Sequence, residues 1–185
     1  MSKMTQTLIP LIALGLFLGA TGQGVAAKTI KPKMPVPVEK ALPSVTRTYV
    51  GDFPIATAVT VPPGYATVYF SGLTPTIIKP EAPKDSFEAY GNTEAQTESV
   101  FKRIDAALKA EGLGFGDVVA MKVYLVGDPA LGGKMDFAGM MKSYVKYFAT
   151  AEQPNKPVRA TVQVSALANP YFLVEIEVIA AKAPK

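Results

Sequence analysis

The sequence contains no histidine and no cysteine. Without histidine there is no Ser-His-Asp triad, and without either residue there is no Cys-His dyad and no His/Cys metal site. No disulfide can form, so the core must stand on packing alone, and a cysteine-borne lipid anchor is excluded. No metal and no cofactor is expected. The 19 Lys+Arg against 15 Asp+Glu give a net charge of only +4. These cations are scattered and form no basic stripe interleaved with aromatics, so nucleic acid is not an expected partner. No internal repeat is visible. Residues 112–117 (GLGFGD) are glycine-rich but do not match G-x-G-x-x-G and follow a predicted helix, so they read as a helix stop. Leu131-Gly132-Gly133-Lys134 resembles the end of a phosphate loop, but Met135 occupies the place of the required Ser or Thr.

Long apolar runs are also scarce. The uncharged run Leu8–Ala20 is too short to span a bilayer comfortably, where about 20 residues are needed. Lys3 precedes it and the small residues Val25-Ala26-Ala27 follow, which gives the three parts of a cleavable secretory signal over 1–27. The mature chain is expected to be exported, to the periplasm, and to have no membrane contact after cleavage. Residues 28–44 hold four prolines and read as an extended linker. Residues 45–185 then form one globular domain, with 49% hydrophobic composition across the chain to build its core.

Within that domain 46–50, 55–61 and 66–71 read as strands, followed by a Pro-rich loop over 74–90. Thr93 and Gln96 fit a capping box that opens a helix. Val100, Phe101, Ile104, Ala107 and Leu108 form its apolar stripe, and Gly112 stops it. Residues 117–126 read as a buried strand. Phe137, Met140, Met141, Tyr144, Val145 and Phe148 define a second helix with Asp136 as its cap. In the strand 158–165 the even positions are apolar and the odd ones polar. In 173–179, Val174, Ile176 and Val178 share a face opposite Leu173, Glu175, Glu177 and Ile179. The alternation predicts an α+β sandwich with two helices on one sheet face and Arg159, Thr161, Glu175 and Glu177 on the other.

Arg159 is the sharpest candidate for chemistry, because a guanidinium presents a planar fork matched to a carboxylate. On pattern alone Arg159 and Glu175 are either a ligand site or a cross-strand pair of little energetic weight on a solvated face. The stretches YFSGLTP (69–75), 93–113, DVVAMKVYLV (117–126), DFAGMMKSY (136–144) and 157–181 resemble the Rid family, the YjgF-like reactive-intermediate deaminases. That resemblance implies a chorismate-mutase-like α+β subunit with a mixed six-stranded sheet, and a homotrimer with ligand clefts between subunits. It implies that Arg159 holds a substrate carboxylate and that Glu175 orients or activates water. Ser71 and Gly72 would line the cleft, and Thr161 would contact ligand through its main-chain carbonyl. Ile55 stands where many members have tyrosine, and Met141 where many have asparagine. The implied activity is hydrolysis of 2-imino acids or enamines to 2-keto acids and ammonia. The alternative is a non-enzymatic trimer that binds small carboxylates, and a holdase role is a third reading. A trimer would also bury Leu173 and Ile179, which the alternation leaves on the open face.

Overall fold

A computed structural model describes residues 43–184. The expected signal, 1–27, and the expected linker up to residue 42 lie outside the described residues. Six strands and three helices follow one another along the chain. They are β1 (Thr46–Thr48), β2 (Ala58–Thr60), β3 (Ala66–Leu73), α1 (Phe87–Tyr90), α2 (Thr93–Ala110), β4 (Val118–Val126), α3 (Phe137–Tyr144), β5 (Val158–Val164) and β6 (Val174–Lys182). Among the described residues no helix is long and apolar enough to cross a membrane.

The α+β sandwich is present, with α2 and α3 packed on one face of a mixed sheet. All six strands are present too, but they divide between two sheets. β3, β6, β4 and β5 form one sheet in that order, and β1 pairs only with β2. Pro62 and Pro63, in the connection between β2 and β3, have no N–H to offer a ladder, which separates the short hairpin from the larger sheet. β4 and β5 are parallel, whereas β6 runs antiparallel to both β3 and β4.

The core lies between the sheet and the two helices. Val100, Phe101, Ile104 and Leu108 of α2 and Met140 and Tyr144 of α3 meet Met121, Val123 and Leu125 of β4 and Val174, Ile176 and Val178 of β6. Phe101, Phe115, Tyr147 and Phe148 form a cluster of edge-on and tilted rings with centroids 4.8–6.1 Å apart. Val145, which the spacing puts in this stripe, is 47% exposed, whereas Phe148, also beyond the end of α3, is fully buried.

Local rules account for the helix ends. The Asp136 carboxylate accepts from Gly139 N–H at 2.8 Å and caps α3. At the end of α2, Gly112 sits at φ +70°. Leu113 N–H bonds to Leu108 and Gly112 N–H to Lys109, a Schellman closure that confirms 112–117 as a helix stop. The capping box is different from expectation. Asn92 caps α2 by accepting from Ala95 N–H at 3.0 Å, while Gln96 turns inward to other partners.

The loop over 74–90 is packed rather than open, and it ends in the single turn of α1. Ser99 Oγ receives Thr76 N–H at 3.0 Å, and Arg103 donates to the Thr74 carbonyl at 2.5 Å. Ala82, Ala89 and Tyr90 form a second small core with Ile77, Tyr171 and Phe172.

Candidate functional site

The faces of β5 differ from the sequence expectation. Arg159 pairs with Met121 and Thr161 with Val123, both core residues of β4, so Arg159 and Thr161 lie on the helix side. The apolar residues Ala160 and Val162 face the open side instead, and Val162 is 46% exposed. The alternation is as read, but its apolar half is the half that no element of this chain covers. Tyr69 adds to the same open face at 75% exposure.

Arg159 therefore emerges beside α3. Its guanidinium carbon lies 4.3 Å from the ring centroid of Tyr144, 5.7 Å from Phe137 and 5.8 Å from Phe53. Its Nη1 points at the Met141 sulfur, 3.3 Å away. Phe137, Met141 and Tyr144 fall on one face of α3 because they are spaced four and three residues apart. Phe53 arrives from a distant segment held by two hydrogen bonds. Tyr144 O–H donates to the Pro54 carbonyl at 2.8 Å, and Ala56 N–H donates to the Pro157 carbonyl at 2.9 Å. Ile55, between those anchors, is half-buried against the core.

Burial lowers the Arg159 pKa, opposed by the adjacent Tyr144 hydroxyl. Burial likewise pushes the Tyr144 phenol well above its ordinary value. Among the described residues no carboxylate lies within ion-pair distance of Arg159. A half-buried cation without a counter-ion is poised to accept an anion, since a desolvated charge gains most from a partner. Thr161, two residues along the same face, has a buried hydroxyl with no hydrogen-bond partner among the described residues.

Glu175 is elsewhere. β4 lies between β5 and β6, so Glu175 is two strand spacings, roughly 10 Å, across the sheet from β5, level with Val162 rather than Arg159, and it faces the open side opposite Tyr124. The cross-strand pairing of Arg159 with Glu175 thus does not occur within one chain. Glu175 instead joins Ser71 and Gly72, which sit in the irregular register between Phe70 and Leu73. A β-carbon at Gly72 would overlap the Glu175 carboxylate. Glu177 alongside pairs with Lys122 at 3.4 Å. Leu173, which the alternation puts on the open face, is 2% exposed, because it precedes β6 and its N–H bonds inward to Gln96. Ile179 is half-buried on the open side.

The overlap at Gly72 carries a prediction. In Gly72→Ala the Glu175 carboxylate swings aside, since it is the free end of a flexible side chain. Stability should stay within about 1 kcal/mol of the parent, while a structure of the variant shows Glu175 in a new rotamer. An unmoved carboxylate would disprove the close packing.

The expected site residues thus form two groups. Arg159, Met141, Thr161 and Ile55 lie on the helix side, and Ser71, Gly72 and Glu175 lie on the open face. The aromatic surround of Phe53, Phe137 and Tyr144 was missed as a site feature, because the spacing on α3 reads only as core. Two larger grooves, of about 410 and 480 Å³, lie along the 76–92 segment and α2, away from Arg159.

The chain resembles known proteins over most of its described length. Residues 56–182 match the family model described as endoribonuclease L-PSP. The protein DfrA of Myxococcus xanthus is 42% identical over 90 residues, 49% of this chain. The match spans only 60% of that relative's own length. A conserved Rid family protein, YyfB, from Yersinia pestis superposes with a TM-score of 0.52 at 23% identity, covering 69% of this chain and 86% of that one. A member of the YjgF family from Mycobacterium tuberculosis gives 0.45 at 27% identity, covering 74% and 98%. The family model and the likeness to YyfB agree with the chorismate-mutase-like α+β fold expected from the sequence.

Proposed function

The chain belongs to the YjgF/Rid family, whose model covers 56–182, and from that premise we propose that it binds small 2-imino acids through Arg159 and hydrolyses them to 2-keto acids and ammonia. The observation that supports this is the half-buried Arg159 guanidinium with no acid partner among the described residues. An imine carbon is already electrophilic, so hydrolysis needs no covalent nucleophile. It needs orientation of the substrate and a group that positions water. Water adds to the C=N carbon to give a carbinolamine, a proton moves to nitrogen, and the C–N bond breaks to release ammonia. Arg159 would hold the substrate carboxylate, and the Glu175 carboxylate would orient the water and move the proton.

Arg159 and Glu175 lie on opposite faces of the sheet in one chain. The proposal therefore takes Glu175 of the partner subunit, with Ser71 and Gly72, into a cleft completed between copies. The uncovered Tyr69, Ala160 and Val162 favour association through the open face, and a closed cyclic trimer buries that face in every copy. A mass measurement in solution tests it. Ribonuclease activity, which the family description names, does not fit these residues. The sequence has no histidine to move a proton near neutral pH and no basic stripe for a nucleic-acid backbone. The proposal takes residues 1–27 as an export signal, so that the protein works outside the cytoplasm, and the mature N-terminus of secreted material tests this.

The second reading, a trimer that binds carboxylates without turnover, is favoured by the same separation of Arg159 and Glu175, because binding needs only the arginine. Imino acid generated by an amino-acid oxidase separates the two. The protein should speed its decay over buffer. No acceleration, with 2-keto acid binding retained, leaves the binding reading alone.

A further inference from the structure

The surroundings of Arg159 speak to the rest of the ligand. Three aromatic rings and a thioether adjoin the guanidinium, and no acid among the described residues reaches it. Tyr144 covers one guanidinium face, 4.3 Å away. Nη1 faces the Met141 sulfur, a weak acceptor that a carboxylate oxygen easily displaces. A ligand whose carboxylate takes the fork then has its carbon skeleton among Met141, Phe53 and Phe137. Phe53 is 48% exposed, so a large apolar surface stands uncovered beside a half-buried charge.

We infer that the Arg159 site selects monocarboxylates with an apolar side chain, and discriminates against ligands that carry a second charge. The inference rests on the carboxylate-clamp reading given above. Two effects combine. An apolar side chain covers Phe53 and Met141 and gains by leaving water. A second carboxylate must shed its hydration against the same surface, where neither Met141 nor Phe53 offers it a hydrogen bond. Among the described residues the Thr161 Oγ1 hydroxyl is buried without a partner, but it lies along the strand and is uncharged. Selectivity is thus written in three separate segments, around residues 53, 141 and 159, that converge on one guanidinium.

The probes are 4-methylpentanoate and glutarate, stable acids of similar length, titrated calorimetrically into the whole secreted protein at neutral pH. The branched monocarboxylate should bind at least tenfold more tightly. Met141→Asn, which offers an amide to a polar side chain, should narrow that ratio at least threefold. Phe53→Ser, at an exposed position that does not threaten folding, should narrow it as well. Equal or tighter binding of glutarate overturns the inference, and so does a ratio that neither variant changes. Both probes are inert to hydrolysis, so the outcomes separate. Binding without selectivity overturns this inference alone. Selectivity without imine turnover overturns the hydrolytic reading alone. Failure of both acids to bind overturns the clamp and this inference together.

Discussion

Arg159→Ala should weaken the binding of an apolar 2-keto acid by at least about 100-fold and leave the fold standing. A bidentate guanidinium–carboxylate contact comprises two charge-assisted hydrogen bonds, each worth about 1.5–3 kcal/mol. In the clamp reading they would form beside the rings of Tyr144, Phe137 and Phe53, which take part of the guanidinium out of water. Truncation removes both. It should not unfold the protein, because Arg159 has no ion pair among the described residues to break and its burial already disfavours the charge. Tyr144 keeps its bond to the Pro54 carbonyl and stays packed on Phe148 at 4.9 Å. Arg159→Lys should fall between, because an ammonium keeps the charge and loses the fork. Binding by the parent should be flat between about pH 6 and 9, since a guanidinium stays protonated throughout that range and the chain has no histidine. Calorimetric titration of the three forms checks all of this. Unchanged affinity in Arg159→Ala would move the site elsewhere, to one of the two grooves beside α2.

How legible this site was depends on which physical signal carried each part. Helix α2 was readable because its stripe is long and Gly112 closes it at φ +70°. The cap of α3 at Asp136 was equally local. Arg159 stood out as a cation in an apolar strand. Strand order was not local. β6, last in the chain, inserts between β3 and β4, so Arg159 and Glu175, close in sequence, do not become neighbours. Parity told which residues of β5 share a face but not which face the helices cover. The usual assumption that the apolar face is the covered one fails on a strand such as β5, at the sheet edge, with Ala160 and Val162 left open. The rings around Arg159 come from residues 53, 137 and 144, and no periodicity links segments so far apart. Gln96 misled for a different reason. Its spacing from Thr93 satisfies a capping box, while its side chain does structural work at the far end of the chain.

That work makes Gln96→Leu the most destabilising conservative change we expect, at about 3–5 kcal/mol. Gln96 is fully buried. Its amide nitrogen donates to the carbonyls of Gly91 at 3.0 Å and Tyr171 at 2.9 Å, and its oxygen receives the Leu173 N–H at 2.7 Å. One side chain thereby fastens the start of α2 to the segment that leads into β6. Leucine fits the volume and offers nothing to these groups. A buried polar group left without a partner costs about 1–3 kcal/mol. Three are orphaned, and the half-exposed Gly91 and Tyr171 recover part of their loss from water. Urea unfolding measures the difference. A loss below about 1 kcal/mol would mean that the 171–173 segment finds other partners. Gln96→Glu sharpens the test through pH. The new carboxyl still accepts from Leu173, but when ionised it faces two carbonyls in a dry site, so its folded pKa is raised above the ordinary glutamate value of about 4.3. A raised folded pKa gives stability that is fully present below the unfolded pKa and is lost as pH rises through the folded one. Gln96→Glu should therefore be more stable near pH 4 than near pH 8 relative to the parent, in which residue 96 does not titrate. Glu175 lies two residues beyond Leu173, so Gln96→Leu should also disturb turnover in the hydrolytic reading while leaving carboxylate affinity at Arg159 nearly intact. A rate loss without an affinity loss in that variant would tie the β6 entry to the chemistry rather than to binding.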